Sequence, residues 1–295
     1  MKPETPLTIF ELRAANKADL LFLDSGSKEE QFGPELAPHL AGFHVESDFA
    51  FLFFVSEVDL SPFLERRPGL EIRQTHHLRY DQWQDGAASP PIVLGPLQIL
   101  PVFGAEAPPS IAPRPLGALE PLAIDPGLAF GFGGHPTTRA CLEFLLRLYK
   151  PGSLESASPK TVLDLGCGTG ILSLAAVRLG AASALGVDHS HLAADSAILN
   201  ARKNGLADRV TIRRGLAQDF AAEPAELVLA NIPLFVLSDL LELKAFDERR
   251  HLVISGLLPD EGDAFLNRLT TRLKVKVLDR MRSDRWVSFL IESVA

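Results

Sequence analysis

Apolar positions in the second half of the chain follow two periods in turn. Short, nearly continuous apolar runs at 161–165, 184–187, 210–213, 225–230 and 251–255 predict strands buried on both faces. Between them, Pro136–Tyr149, 170–179, 191–203, a segment after Pro233 and 260–273 return apolar residues at helical spacing. Pro136 suits a first helical turn, and Asn204-Gly205 stops the helix before it. Strand–helix alternation predicts a parallel sheet with right-handed crossovers. The last two strands, 275–281 and 286–292, have no helix between them, so a hairpin closes the sheet with one antiparallel strand.

The first half is patterned less regularly. Residues 49–55 read as a buried strand, with further strands at 70–73, Ile92–Leu94 and 97–100 and a short helix at 61–66. These predict a small α+β domain. Between Pro101 and Pro126 stand Pro108, Pro109, Pro113, Pro115 and Pro121, which exclude a continuous helix or central strand. The expected division is an α+β domain at 1–104, a stiff proline-rich linker at 105–121 and an α/β domain at 122–295.

Composition narrows the function classes. With 46% hydrophobic and 22% charged residues, a chain of 295 can bury a sizeable core. A net charge of −8 argues against direct, extended nucleic-acid binding, which needs a basic excess to displace counterions. The two cysteines, Cys141 and Cys167, form neither a disulfide framework nor a zinc site, and no metal is expected. The start shows no signal-peptide pattern and no run reaches the length of a membrane span. A soluble, cytoplasmic protein acting as a monomer is the expectation.

The chemistry concentrates at Val162-Leu163-Asp164-Leu165-Gly166-Cys167-Gly168-Thr169-Gly170. Glycines at every second position allow a sharp strand-to-helix turn and let backbone N–H groups approach a ligand. A dinucleotide fingerprint places its third glycine later, and a triphosphate loop would continue in Gly-Lys-Ser/Thr. The compact turn therefore suits a nucleoside-like ligand without phosphates. Asp188, ending the next strand, can accept hydrogen bonds from both hydroxyls of a ribose. Asn231 ends the fourth strand, where its amide oxygen can hold an amine by hydrogen bonding and leave the nitrogen lone pair aimed at a methyl donor. Together these residues indicate S-adenosylmethionine (S-adenosyl-L-methionine) as the ligand. Upstream, residues 125–139 carry four glycines within 127–134 and are expected to form a mobile loop. The loop opens a helix whose N-terminus, bearing Thr137 and Thr138, can bind a carboxylate. His135 reads as a capping rather than a catalytic histidine.

At these residues the chain resembles the ribosomal protein L11 methyltransferase family (PrmA type). The run Asp125-Pro126-Gly127-Leu128-Ala129-Phe130-Gly131, followed by His135-Pro136-Thr137-Thr138, matches that family's signature. Ala230-Asn231-Ile232, Ser255-Gly256-Leu257-Leu258 and Trp286 also match, and the resemblance covers about 121–295. It implies a seven-stranded Rossmann-like methyltransferase sheet with a smaller amino-terminal α+β domain that recognises the substrate. It further implies that Thr138, Gly166, Asp188 and Asn231 contact S-adenosylmethionine, with Phe130 lying over it and Gly168 and Thr137 beside it. The implied reaction methylates lysine side chains and the N-terminal amine of a ribosomal protein of the large subunit. The family's Gly-Thr-Gly-Thr-His reads Gly131-Phe132-Gly133-Gly134-His135 here, so two hydroxyls are missing. Two other readings use the same fold: a small-molecule or RNA methyltransferase, and a binding module without activity. A nicotinamide dehydrogenase is disfavoured by the missing pyrophosphate spacing.

Overall fold

A computed structural model describes residues 4–16, 19–20, 28–46, 49–82, 91–102, 120–129, 131, 133–150, 152 and 158–294. Most of the expected linker, 105–119, lies outside the described residues, as do Phe130 and Phe132. The chain divides into two compact units.

The first unit comprises β1 (Pro6–Ala14), α1 (Lys28–Leu36), β2 (Leu40–Glu46), β3 (Phe49–Phe54), α2 (Ser61–Glu65) and β4 (Leu70–Arg79). Its sheet runs β2-β3-β1-β4 with every neighbouring pair antiparallel. Alternate residues of β1 (Phe10, Leu12, Ala14) and of β3 (Ala50, Leu52, Phe54) turn to one face, where they pack with Phe32 and Phe63 from the helices. Those two rings stack with centroids 5.2 Å apart. Sequence periodicity does not show α1, because Gly33 (φ 79°) and Pro34 break its register midway.

The second unit begins with β5 (Ile92–Leu94), β6 (Leu97–Pro101), β7 (Glu120–Ile124) and α3 (Pro136–Tyr149). It continues through β8 (Thr161–Leu165), α4 (Ile171–Leu179), β9 (Ser183–Asp188), α5 (His191–Lys203), β10 (Val210–Arg214) and β11 (Leu227–Asn231). It ends with α6 (Leu234–Glu242), β12 (His251–Leu257), α7 (Pro259–Arg272), β13 (Val275–Ser283) and β14 (Trp286–Ser293). The seven-stranded sheet has the order β10-β9-β8-β11-β12-β14-β13. Strands β8 to β12 are parallel, and β14 enters antiparallel between β12 and β13.

Both faces of this sheet are buried, and the pleat decides which core each residue joins. Val162, Leu227, Leu229, Val253 and Leu290 pack with α3 and α4. Leu163, Leu165, Val228, Ala230, Leu252, Ile254, Phe289 and Ile291 pack with α6 and α7. Burial on both sides accounts for the contiguous apolar runs that predict these strands. Among the described residues, no helix is long and apolar enough to cross a membrane.

Two boundaries differ from the sequence-based expectation. Strands β5 and β6 do not join the amino-terminal domain, because Leu94, Leu97 and Ile99 share a core with Leu122, Ile124, α3 and α4. The second compact unit accordingly takes in residues 90–102. Residues 120–124, at the end of the proline-rich stretch, form β7, parallel to β6. Pro121 is tolerated there because β7 is the edge of the β5-β6-β7 sheet, where a missing N–H breaks no central ladder.

Candidate functional site

Strand order reverses between β8 and β11. From β8 the chain winds outward to β9 and β10, then returns to β11 and β12 on the other side. Such a switch point opens a crevice beyond the carboxyl ends of the strands. The ladder pairs Leu165 with Val187 on one side and with Ala230 on the other. One residue further on, Asp188, Gly166 and Asn231 therefore share a level across three adjacent strands. At a strand spacing of about 4.8 Å, the outer two stand roughly 10 Å apart.

The glycine turn is built for close backbone approach. Gly166 has φ 75°, and a Cβ there would overlap Cγ2 of Ile232. Gly166 and Cys167 both donate their N–H to the carbonyl of Val187, at 2.8 and 2.9 Å. Gly170, with φ 79°, is the N-cap of α4 and brings no side chain to cap it. Asp164 supplies that cap from the strand: its Oδ2 accepts the Ser173 N–H at 3.1 Å and the Ser173 hydroxyl at 2.6 Å. Burial pushes the Asp164 carboxyl up to about 6, against the lowering effect of Ser173.

Asp188 is nearly buried and held at both oxygens. Oδ2 accepts the Gly168 N–H at 2.9 Å and Oδ1 accepts the Ser190 N–H at 2.9 Å. The first bond fixes the carboxylate against the glycine turn, and the second ties it to the start of α5. Each oxygen keeps a further lone pair for a ligand hydroxyl. The carbonyl of Asp188 accepts the Gly215 N–H at 3.0 Å, which brings up a turn bearing Leu216, 54% exposed. Nothing in the sequence pattern singles out Leu216.

The described residues of the segment, 125–129, 131 and 133–135, and the start of α3 form the other wall. His135 caps α3 through Nδ1, which accepts the Thr137 N–H at 3.3 Å and stands 2.8 Å from the Thr137 hydroxyl. With Nδ1 accepting the amide, the hydroxyl proton points to the same nitrogen. Burial holds the His135 imidazole below its ordinary pKa, which suits this neutral acceptor. The Thr137 hydroxyl proton is therefore already committed. Thr138 differs: it is 1% exposed and its Oγ1 has no hydrogen-bond partner among the described residues. A buried hydroxyl left unpaired costs about 1–3 kcal/mol, so its presence points to a ligand that completes it. Asn231 ends β11 half-buried, on the face that Leu227 and Leu229 turn toward α3.

The described residues of the 125–135 segment are anchored at Asp125 and Gly131. Asp125 is 3% exposed, and its Oδ2 pairs with Lys203 Nζ at 3.1 Å. The Gly131 carbonyl accepts the Thr169 hydroxyl. Two asparagines of the α5 region complete the anchorage. Asn200 Oδ1 accepts the Asp125 N–H at 2.8 Å, while its Nδ2 donates to the carbonyls of Asp125 and Thr169, both at 3.0 Å. Asn204 Oδ1 accepts the Ala123 N–H at 2.9 Å, and its Nδ2 donates to the Ala123 carbonyl at 2.7 Å and the Asn200 carbonyl at 2.8 Å. These side-chain amides give β7, an edge strand, the pairing that a further strand would give. In the sequence pattern Asn204 is only a helix stop, and Asn200 goes unmarked. The available signal is two asparagines four residues apart on the face that carries Ala193, Ala197 and Ala201.

The structure thus brings Gly166, Gly168, Asp188 and Asn231 to one edge of the sheet and places Thr137 and Thr138 at the start of α3. Phe130 lies outside the described residues.

A family model described as ribosomal protein L11 methyltransferase (PrmA) matches residues 112–293. The chain is 44% identical over 148 residues to the ribosomal protein L11 methyltransferase of Methylococcus capsulatus, covering 48% of this chain and 46% of that protein. It is 40% identical over 155 residues to the protein of that name from Neisseria meningitidis serogroup C, covering 52% and 50%. The chain spans about half the length of the curated relatives it matches. Among solved structures, a ribosomal protein L11 methylase from Lactobacillus delbrueckii subsp. bulgaricus aligns with a TM-score of 0.51 at 28% identity, over 62% of this chain and 90% of that one.

Proposed function

The chain belongs to the ribosomal protein L11 methyltransferase (PrmA) family, and on that premise we propose that it methylates lysine side chains or the N-terminal amine of a ribosomal protein, using S-adenosylmethionine. The observation that carries this reading is the Asp188–Gly166–Asn231 row at the switch point, together with a buried Thr138 hydroxyl at the start of α3 that has no partner among the described residues. The residues present fit the methyl donor. Asp188 keeps lone pairs for a ribose diol, the glycine turn leaves room for close contact without a phosphate, and Thr138 offers a hydroxyl to a carboxylate at a helix N-terminus. When bound, S-adenosylmethionine supplies a methyl group on a sulfonium, which accepts the bonding electrons as the methyl leaves.

The chain's own residues supply alignment. Asn231 accepts an N–H of the incoming amine at its amide oxygen and leaves the nitrogen lone pair directed into the crevice. The amine must first lose a proton: at pH 7 only roughly 1 in 2,500 free lysines is neutral, given a pKa of about 10.4. Withdrawal from water disfavours the ammonium form, so the crevice itself shifts that balance. No dedicated general base is required. The same reading has the protein acting as a monomer, in the cytoplasm where ribosomal proteins are made.

Asn231→Ala tests the assignment. Turnover is expected to fall by about 100-fold or more, the usual scale for a group that orients reactants, while calorimetry still detects S-adenosylmethionine binding. Turnover equal to wild type would remove Asn231 from the mechanism.

A further inference from the structure

Asn200 lies outside the Asp188–Gly166–Asn231 row, yet its side chain is the joint between the two walls of the crevice. It is 0% exposed. Its oxygen accepts from Asp125 N–H at 2.8 Å, and its two N–H bonds go to Asp125 O and Thr169 O at 3.0 Å each. Asp125 begins the segment leading to His135 and α3, whereas Thr169 lies inside the glycine turn. One planar amide therefore bonds both the segment leading to Thr138 and the turn bearing Gly166 and Gly168. Its orientation is fixed, because a flipped amide would set its nitrogen against the Asp125 N–H and its oxygen against two carbonyls. A second link, from the Thr169 hydroxyl to the Gly131 carbonyl, runs between the same two segments.

We propose that Asn200 is a positioning residue for the methyl-donor site, setting the 125–138 wall against the glycine turn so that both meet the ligand in one geometry. This rests on the reading of the crevice as an S-adenosylmethionine site. The fold supplies its own control in Asn204. That residue is one helical turn further on, 2% exposed, and binds the same strand through both Ala123 N–H and Ala123 O. Its remaining bond goes to Asn200 O within the α5 region, not to the glycine turn. Asn204 holds β7 and Asn200 holds Asp125 just beyond it, but only Asn200 reaches Thr169.

The test compares Asn200→Ala and Asn204→Ala in the full chain, with S-adenosylmethionine as the probe. Each variant leaves comparable buried groups unpaired, so both should melt earlier than wild type by similar amounts. Only Asn200→Ala is expected to raise the dissociation constant and the KM for S-adenosylmethionine, by tenfold or more. The KM for the protein substrate should stay within about threefold, as expected when binding of one ligand alone is weakened. Equal donor affinities in the two variants would overturn the proposal.

Hydrogen exchange on the wild-type chain decides the matter even if Asn200→Ala does not fold. Saturation with S-adenosylmethionine should slow exchange of the Asp125 amide at least tenfold and that of the Ala123 amide less than threefold. Equal protection of the two amides, or none, would overturn it. A wild-type chain that binds no S-adenosylmethionine would instead bring down the proposed function, and this inference with it.

Discussion

At the scale of single residues, Thr138 carries the sharpest contrast between stability and binding. Its hydroxyl is buried without a partner among the described residues, which bears a cost in the folded chain alone. Thr138→Val keeps the shape and removes that cost. The variant should be as stable as wild type or more so, by up to about 1–3 kcal/mol, yet bind S-adenosylmethionine several-fold more weakly. Thermal melts and calorimetry on the same samples check both halves; lost stability with unchanged affinity would make Thr138 an ordinary core residue. Some of this site is legible in the sequence because glycines, a strand-end acid and a strand-end amide are rare in that order. Gly166, Gly168, Asp188 and Asn231 all fall at the same sheet edge. Thr137 and Thr138 look alike in the sequence. Only the structure separates them, because the His135 ring commits one hydroxyl and leaves the other. Asn200 is illegible for a related reason: an asparagine inside a helix has no local partner, and its role depends on Asp125, 75 positions away in the chain.

At the scale of elements, Asp164 and α4 form one unit. The helix begins at a glycine that cannot cap it, and the preceding strand provides the carboxylate instead. Burial raises that carboxyl to about 6, above the value near 3.9 of an unfolded chain. The folded state therefore holds this proton more tightly. The stability it contributes is complete below about pH 4 and is lost as pH rises past 6. The difference between those two values corresponds to roughly 3 kcal/mol. Asp164→Asn cannot titrate, so its stability relative to wild type should improve by roughly that amount between pH 4 and pH 7. Urea unfolding of both proteins at the two pH values measures it, and parallel profiles would contradict the assignment. The strands and helices from α3 onward are legible because two-sided burial writes continuous apolar runs into β8, β11 and β12. Strand β7 is not, since Pro121 argues against any strand unless the edge position is known.

At the scale of the whole molecule, the division of the chain matters most. Proline content suggests a catalytic unit starting near residue 122. Packing starts it near 90, because β5 and β6 cover Leu122 and Ile124 with Leu94, Leu97 and Ile99. A fragment of residues 90–295 should fold cooperatively and bind S-adenosylmethionine. A fragment of 105–295 leaves that apolar surface open and should aggregate or melt without cooperativity. Comparable melts for the two fragments would show that β5 and β6 are dispensable. Substrate choice is less legible than fold, because the chemistry of methyl transfer to an amine is common to many acceptors. The matched segment spans only about half of the curated relatives. The most direct test is therefore made on the substrate. Large-subunit ribosomal proteins from cells lacking this chain would be incubated with the purified protein and S-adenosylmethionine, then examined by intact-mass spectrometry. Methyl increments are expected on one ribosomal protein, mapped to lysine or N-terminal amines, and none with Asn231→Ala. Ribosomal proteins left unmodified, with methyl groups found instead on RNA or on a small metabolite, would contradict it.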